Sequence, residues 1–361
     1  MRKAQQAYTY GAPEGALPYE GVDGSRVISF FIFNTDVHMH AYAPDGADAR
    51  DAAAREALDA ALTACRDRCM FFERTLSRTR PDSDIARAHS ASPKAVPVAP
   101  ETAELTRLAL GYCERSRGLF DITMGTVTRL WDFHRGIVPT RLDLARALPH
   151  VGLSRVRVQG PDAASGAPAK LAITDPETVL DLGGVAKGYI ADDLAALLGR
   201  HGVGRFVLNL GGNVVVRGGR AGDCRARPPV RAGEPWEIGI VNPLDPGHCR
   251  AIVDVADGSV VTSGLHERRF TKGGVTYHHI LSPKDGMPAV TDVASATIVA
   301  ERSLDCDGYS TTVLMMGARE GRDFAESLPG VEAVLVDDSD RLWWTSGIEE
   351  RLFEVPTLPR W

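Results

Sequence analysis

Residues 181–193 read Asp-Leu-Gly-Gly-Val-Ala-Lys-Gly-Tyr-Ile-Ala-Asp-Asp. A short apolar run at 178–180 precedes them and an amphipathic helical pattern follows, which predicts a strand, a tight turn and a helix. Glycines allow a backbone to approach a ligand closely, and a helix N-terminus offers free N–H groups, so a phosphate is the expected ligand. The spacing matches neither GxGxxG nor GxxxxGK[ST], and a turn that only reverses the chain remains the alternative.

The composition is that of a globular protein without nucleic-acid or membrane character. The chain has 361 residues, of which 44% are hydrophobic and 24% charged, enough for two domains or one elaborated domain. The net charge of −6 argues against electrostatic binding of nucleic acid. No apolar run is long enough to cross a membrane, so we expect no direct membrane insertion.

The termini and the cysteines point to a reducing compartment. Residues 1–19 carry Arg2 and Lys3 but no apolar core, and no cysteine suited to lipid attachment follows, so neither a secretory signal nor an anchor is expected. Cys65 and Cys69 fall on the apolar stripe of a helical pattern, which favours buried thiols over a metal pair. These observations predict a cytoplasmic location.

Hydrophobic periodicity predicts a mixture of helices and strands. Residues 26–42 alternate as a single strand, and 47–75 and 101–117 read as helices. Further helices are predicted at 126–135, 140–147, 303–316 and 320–328. Strands are predicted at 154–159, 170–174, 178–182, 205–210, 213–217, 236–241, 251–255, 269–271, 276–281, 332–336 and 341–345. Because helices and strands do not alternate strictly, the fold class is α+β rather than a doubly wound sheet.

Four positions carry candidate binding groups. Lys187 occupies the position where a cation would face a phosphate. Asp181 either accepts a hydrogen bond from a sugar or nucleobase or stabilises the turn. Asp307 and Thr311 are four residues apart and therefore share one helix face. A carboxylate and a hydroxyl suit Mg²⁺, with water and phosphates completing the shell. An N-cap is the alternative for this acidic segment.

His279 is the candidate acid or base. It begins an apolar segment that ends in a Pro/Gly turn, where a histidine is also often structural. The neighbouring His278 should point to the opposite face of the sheet, so one of the two at most enters a given site. The segments 118–125 and 208–213, taken alone, predict only turns.

Together, and in this order, the motifs resemble the signatures of the ApbE family of FAD:protein FMN transferases. The similarity covers about residues 28–348. Two departures are visible: an early Met-Gly-Thr of the family reads Phe33-Asn34-Thr35 here, and its HIIDPxTG motif has Ser282 and Asp285. The matching segments are Ser77 with 82–85, 120–125 with 130–133, 181–192, 209–213, 236–240 with Pro243, 261–264 with Arg268, 279–283, 307–311 and Gly317.

The resemblance implies an α+β, ApbE-like (T-fold-related) fold, with mixed, largely antiparallel sheets packed with helices and a ligand cleft between two interlocked halves. The expected flavin transferase domain is 26–348, between a flexible N-terminal tail, 1–25, and a C-terminal tail, 349–361.

The resemblance also implies the site residues. Positions that match the family's metal ligands, for Mg²⁺, are the carbonyl of Gly184, Asp307 and Thr311. Three protein oxygens leave octahedral positions for pyrophosphate oxygens and water. Positions that match contacts to FAD, the substrate, are Phe33, Thr79, Leu119, Phe120, Asp121, Asp181, Lys187 and Ile280.

The implied reaction is Mg²⁺-dependent phosphoryl transfer. A Ser or Thr hydroxyl in a motif of an acceptor protein attacks the FMN-side phosphorus of FAD, AMP leaves, and FMN stays attached as a phosphoester. Lys187 and Mg²⁺ offset charge, and His279 is the candidate base that takes the hydroxyl proton. Two alternatives are a metal-dependent FAD pyrophosphatase giving FMN and AMP, and a non-catalytic FAD-binding protein.

Overall fold

The computed structural model describes residues 11–44, 51–222 and 231–355. Cys224, the first residues of the helix predicted at 47–75, residues 1–10 of the expected N-terminal tail and residues 356–361 of the expected C-terminal tail lie outside these ranges. The α-helices of the described residues are α1 (Ala52–Leu76), α2 (Asp84–Ser90), α3 (Pro100–Arg115), α4 (Gly125–Thr128), α5 (Arg141–Ala147), α6 (Gly183–Arg200), α7 (Ser303–Met316) and α8 (Ala318–Glu326).

The strands are short and spread along the whole chain. They are β1 (Tyr19–Glu20), β2 (Arg26–Ile32), β3 (Thr35–Tyr42), β4 (Val96–Pro97), β5 (Val156–Gln159), β6 (Lys170–Ile173), β7 (Arg205–Leu210), β8 (Asn213–Arg217), β9 (Trp236–Val241), β10 (Cys249–Val255), β11 (Gly258–Gly264), β12 (Arg269–Lys272), β13 (Val275–His278), β14 (Val293–Ala300), β15 (Val331–Asp337), β16 (Leu342–Trp344) and β17 (Leu352–Glu354).

One nine-stranded sheet organises the molecule. Its order is β1-β2-β3-β7-β8-β11-β14-β15-β16, and its neighbouring strands pair antiparallel. Smaller sheets are β17-β10-β9, β12-β13 and β4-β6-β5. Mixed helices with antiparallel sheets confirm the predicted α+β class.

Helices cover one face of the central sheet, and the β17-β10-β9 sheet covers part of the other. On the helical face, α1 and α6 bury Phe30, Phe72 and Leu194 against β2, β3 and β7. Further along that face, α7 packs on β11 and β14. The opposite face buries valines of β8, β11, β14 and β15 against β9 and β10. Cys65 and Cys69 are fully buried in the α1 core, as their spacing predicted.

The segment predicted as one strand, 26–42, is a hairpin. Phe33 and Asn34 have φ of 55° and 59°, and the reversal at these residues separates β2 from β3. Two consecutive positive φ values are typical of a type I′ turn, which sequences usually mark with Asn-Gly. This turn contains no glycine, so the prediction missed it.

Several other predicted elements differ from the structure. The strand predicted at 178–182 is reduced to one bridge between Val179 and Met124. The helix predicted at 126–135 is only α4, a single turn. β14 was not predicted because all its residues are buried, and a strand covered on both faces lacks the alternation that marks a half-buried one. β11, its neighbour, was missed as well.

Both segments expected to be tails contribute strands. Tyr19–Glu20 forms β1 on the edge of the central sheet, and Leu352–Glu354 forms β17 beside β10. The domain bounds 26–348 stay a prediction. In the part of the chain that the structure describes, no helix is long and apolar enough to cross a membrane.

Candidate active site

A cavity of about 610 Å³ lies where the N-terminus of α6 meets α7, beside β9. Its volume is in the range of small-molecule sites, roughly 300–1,000 Å³. Two segments far apart in sequence, at 181–187 and 307–311, share its wall. Of the residues predicted from sequence, the wall includes Leu119, Phe120, Asp121, Asp181, Gly184, Lys187, His279, Ile280, Asp307 and Thr311.

Phe33 and Thr79 are not brought to this wall. Phe33 lies in the β2–β3 turn and packs against the α1 core. Thr79 is 3.2 Å from the Ser77 hydroxyl. Its neighbour Arg78 pairs with Asp181, with 3.2 Å between Nη1 and Oδ2, so the segment borders the site. Flavin contacts by Phe33 and Thr79 stay predictions.

The glycines of 181–193 lie in a helix instead of the predicted tight turn. α6 begins at Gly183, whose N–H donates to Oδ1 of Asp181 over 2.9 Å. A Cβ on Gly184 would lie 2.8 Å from the Phe120 ring, and one on Gly188 would lie 2.5 Å from the Ser303 carbonyl oxygen. These two glycines therefore permit close packing of the protein on itself at the edge of the cavity.

Asp307 is bonded to the same helix. Its Oδ2 accepts a hydrogen bond of 2.8 Å from the N–H of Gly188. In a regular α-helix that N–H would donate to the carbonyl of Gly184. Asp307 and the Gly184 carbonyl therefore compete for the same N–H. Asp307 is only 7% exposed, and burial raises the pKa of its carboxyl to about 6.

The donors around Asp307 are hard oxygens. The Thr311 hydroxyl lies 3.2 Å from the Ser263 hydroxyl, which itself lies 2.8 Å from that of Ser310. No cluster of three or more His, Cys, Asp or Glu suited to a metal occurs in the described residues. A single carboxylate with a hydroxyl and a carbonyl fits a cation such as Mg²⁺, which keeps several waters and substrate phosphates in its shell.

Lys187 is a cation of the cavity wall whose charge acts on two acidic groups. Its positive charge lowers the pKa of both Asp307 and Glu267, opposing the larger effect of burial, which raises both. Glu267 also lines the cavity. The two carboxylates and the lysine form one electrostatic group, to which an anionic ligand would add negative charge.

His279 has an imidazole ring that stays neutral at neutral pH. Burial lowers its pKa to about 4, and the nearby charge of Arg268 acts in the same direction. Its Nδ1 is buried without a hydrogen-bond partner in the described residues. His278 does not line the cavity, and its Nε2 lies 3.2 Å from the Ala289 carbonyl oxygen. The two histidines therefore point apart, as predicted.

The model of the ApbE family matches residues 33–335. This chain belongs to the ApbE family. It is 35% identical over 285 residues to the FAD:protein FMN transferase of Treponema pallidum, covering 78% of each chain. It is 28% identical to one of Klebsiella pneumoniae, covering 75% of each chain. This ApbE protein is thus an enzyme, because its relatives are FAD:protein FMN transferases.

Solved ApbE structures share the fold. The ApbE protein of Thermotoga maritima superposes with a TM-score of 0.75 at 24% identity, covering 92% of this chain and 100% of that one. The flavin transferase ApbE of Vibrio cholerae superposes with a TM-score of 0.74 at 23% identity, covering 91% and 99%. At these identities the comparison supports the architecture alone.

Asp192, which joins α6 to the start of α7, has a role that the sequence did not reveal. Its carboxylate accepts hydrogen bonds from the N–H groups of Ser303, at 2.7 Å, and Leu304, at 3.0 Å. Arg302, the residue before α7, provides no side-chain cap, so Asp192 caps α7 from α6. The contact joins residues more than a hundred positions apart, and local spacing gives no signal for it.

Proposed function

We propose that this enzyme transfers the FMN moiety of FAD to a Ser or Thr hydroxyl of an acceptor protein, with Mg²⁺ bound, and releases AMP. The observation that carries the proposal is the meeting of Asp307, Thr311 and Gly184 with Lys187 on one cavity wall. This set combines hard oxygen donors and a cation, which is what a pyrophosphate with its metal requires. The name of the curated relatives supports the same activity.

Three protein oxygens would hold the metal: the Gly184 carbonyl, an Asp307 carboxylate oxygen and the Thr311 hydroxyl. Mg²⁺ bound there would neutralise pyrophosphate charge and polarise the phosphorus under attack. Competition of Asp307 for the Gly188 N–H, which is the regular helical partner of the Gly184 carbonyl, supports the role of that carbonyl as a ligand. The Ser263 hydroxyl, beside Thr311, orients that hydroxyl.

Six further wall residues that were predicted from the sequence would bind FAD. Lys187 offsets the charge of the pyrophosphate, while Asp121 and Asp181 accept hydrogen bonds from the nucleotide. Oδ1 of Asp121 already accepts from the Thr123 N–H, at 2.7 Å, and from its hydroxyl, at 2.6 Å, which fixes the carboxylate at the wall. Leu119, Phe120 and Ile280 supply apolar surface for the rings.

His279 would take the proton of the acceptor hydroxyl. The hydroxyl oxygen forms a bond to the FMN-side phosphorus, the bond from that phosphorus to the bridging oxygen breaks, and AMP leaves with the electron pair. Only a neutral imidazole accepts a proton, and burial keeps His279 in that form at neutral pH. A histidine of such low basicity acts as the bond to phosphorus forms, when the hydroxyl becomes more acidic.

The test is incubation of the protein with FAD, Mg²⁺ and candidate acceptor proteins, followed by mass spectrometry of their tryptic peptides. We expect an FMN increment on one Ser or Thr, with one AMP released per increment. AMP and free FMN formed at the same rate without acceptor would instead identify a pyrophosphatase. FAD binding with no AMP under any condition would identify a non-catalytic binding protein. A cytoplasmic location is proposed alongside this activity, and fractionation of cells tests it.

A further inference from the structure

Among the strands that the structure describes, β9 is an edge strand that borders the cavity. It lies at the end of the β17-β10-β9 sheet, and Ile238, Gly239 and Val241 are part of the cavity wall. The other edge strands of the described sheets contribute no residue to this wall. An open strand edge is a template on which a further extended chain can pair.

The hydrogen bonds of β10 indicate which backbone N–H and C=O groups of β9 do not pair with β10. The carbonyl of Arg250 accepts from the N–H of Val355 over 3.0 Å, so Arg250 is bonded on the β17 side. Because successive residues of an antiparallel strand bond to opposite neighbours, Ala251 and Val253 bond to β9 instead. Their partners there are Ile240 and Ile238. The N–H and C=O groups of Glu237 and Gly239 therefore point away from β10, toward the open edge.

The side chains of this edge do not obstruct it. Ile240 is buried between the two sheets, whereas Glu237, Gly239 and Val241 face solvent. Val241 is 42% exposed, and Gly239 presents no side chain. Edge strands are commonly protected by proline, lysine or a bulge, but β9 has none of these, and the one irregularity of this pair lies in β10. Glu237 is held aside by Arg220, with 3.0 Å between Oε2 and Nη1.

We propose that β9 is the docking strand for the acceptor protein, whose segment carrying the Ser or Thr pairs with it as an added antiparallel or parallel strand. This inference rests on the proposed function, because FMN transfer requires a polypeptide to reach the cavity. Backbone pairing with Glu237 and Gly239 fixes the register of the segment, so that one hydroxyl enters the cavity. Alternate side chains of the segment then face Val241, which favours apolar or small residues there.

The test uses matched variants of the intact enzyme. Gly239→Pro removes the N–H that points to the open edge and leaves the hydrogen bonds to β10 intact. Gly239→Ala is the control, because it adds a Cβ at the same place beside Cys249 but retains the N–H. The probe is a synthetic peptide that copies the FMN-bearing tryptic fragment of the acceptor. We expect KM for the peptide to be at least tenfold higher in the proline variant than in the alanine variant, with equal dissociation constants for FAD.

A second measurement leaves the enzyme unchanged. Peptides methylated at one backbone nitrogen at a time should lose turnover at every second position near the acceptor hydroxyl, because only alternate amides pair with β9. Equal KM in the two Gly239 variants, or tolerance of every N-methylation, would overturn the docking proposal. If the wild-type enzyme places FMN on no acceptor at all, the proposed function itself fails and this inference with it.

Discussion

The backbone N–H of Gly188 and the carboxylate of Asp307 join α6 to α7 at the wall of the cavity through a hydrogen bond of 2.8 Å. The contact is possible because Gly188 has no side chain: a Cβ there would lie 2.5 Å from the Ser303 carbonyl oxygen and 2.8 Å from Cα of Leu304. Both atoms belong to the backbone, so α7 would have to move as a unit.

Gly188→Ala is therefore expected to destabilise the fold by about 1–3 kcal/mol, and to weaken the proposed metal-dependent activity, because Asp307 moves with α7. Gly199→Ala is the matched control, since it lies in the same helix with nothing within 4 Å of the added Cβ. Alanine is the better helix former by about 1 kcal/mol, so this control should be as stable as the wild type or more so. Urea unfolding measures both, and equal free energies of unfolding for the two variants would contradict the packing argument.

Asp307→Asn tests the proposed metal site. The substitution removes the negative charge but retains an oxygen for the Gly188 N–H, so the fold should persist. We expect kcat/KM for FMN transfer to fall by roughly 100-fold or more, with saturation by Mg²⁺ lost, since one charged ligand is absent. Mg²⁺ titrations of the rate measure this.

Asp305→Asn is the control for that substitution. Asp305 lies in the same helix and accepts from the Tyr112 hydroxyl, outside the cavity wall. Its loss should lower stability without moving the Mg²⁺ dependence. An unchanged Mg²⁺ dependence in the Asp307 variant would remove this residue from the metal site.

His279 predicts a pH dependence of stability. Its pKa is lowered to about 4 in the folded protein, against about 6.5 in an unfolded chain. The stabilisation that follows from a neutral ring is complete above pH 6.5 and is lost as the pH falls toward 4. Between pH 8 and pH 5, the free energy of unfolding of the wild type should fall by about 2 kcal/mol more than that of His279→Gln.

Urea unfolding of wild type and variant at pH 8, 6 and 5 measures this difference. His201→Gln, at an exposed position after α6, is the control and should track the wild type. If the stability of the wild type changed with pH in parallel with that of His279→Gln, the pKa of His279 would not be lowered in the folded protein.

Asp192→Ala should loosen the start of α7. Two N–H groups, of Ser303 and Leu304, lose their acceptor in a largely buried position, at a cost of about 2–3 kcal/mol. Hydrogen exchange at these two amides should accelerate beyond the change in global stability. Asp193→Ala removes the neighbouring carboxylate, which pairs with Arg68, and should leave exchange at α7 unchanged. Acceleration in both variants alike would indicate general destabilisation instead of a lost cap.

The sequence predicted the parts of the site that local spacing determines. Asp307 and Thr311 share a helix face by their separation of four, and both line the cavity. The glycines of 181–193 were interpreted as sites of ligand approach, whereas Gly188 admits another helix of the same chain. Asp192 and its partners on α7 escaped prediction because the bond depends on tertiary packing. The Phe33-Asn34 turn escaped it because neither residue type ordinarily marks a positive φ as strongly as glycine does.

The central sheet runs without interruption from β1, near residue 19, to β16, near residue 344. Both helices that carry the cavity wall, α6 and α7, are packed on this one sheet. Opening by rotation of two rigid lobes would break its strand pairing, so FAD entry and AMP release in the proposed reaction would depend on side chains and short loops at the rim. The enzyme should therefore discriminate among dinucleotides by fixed shape, and viscosity should affect turnover less than in enzymes that close around their substrate.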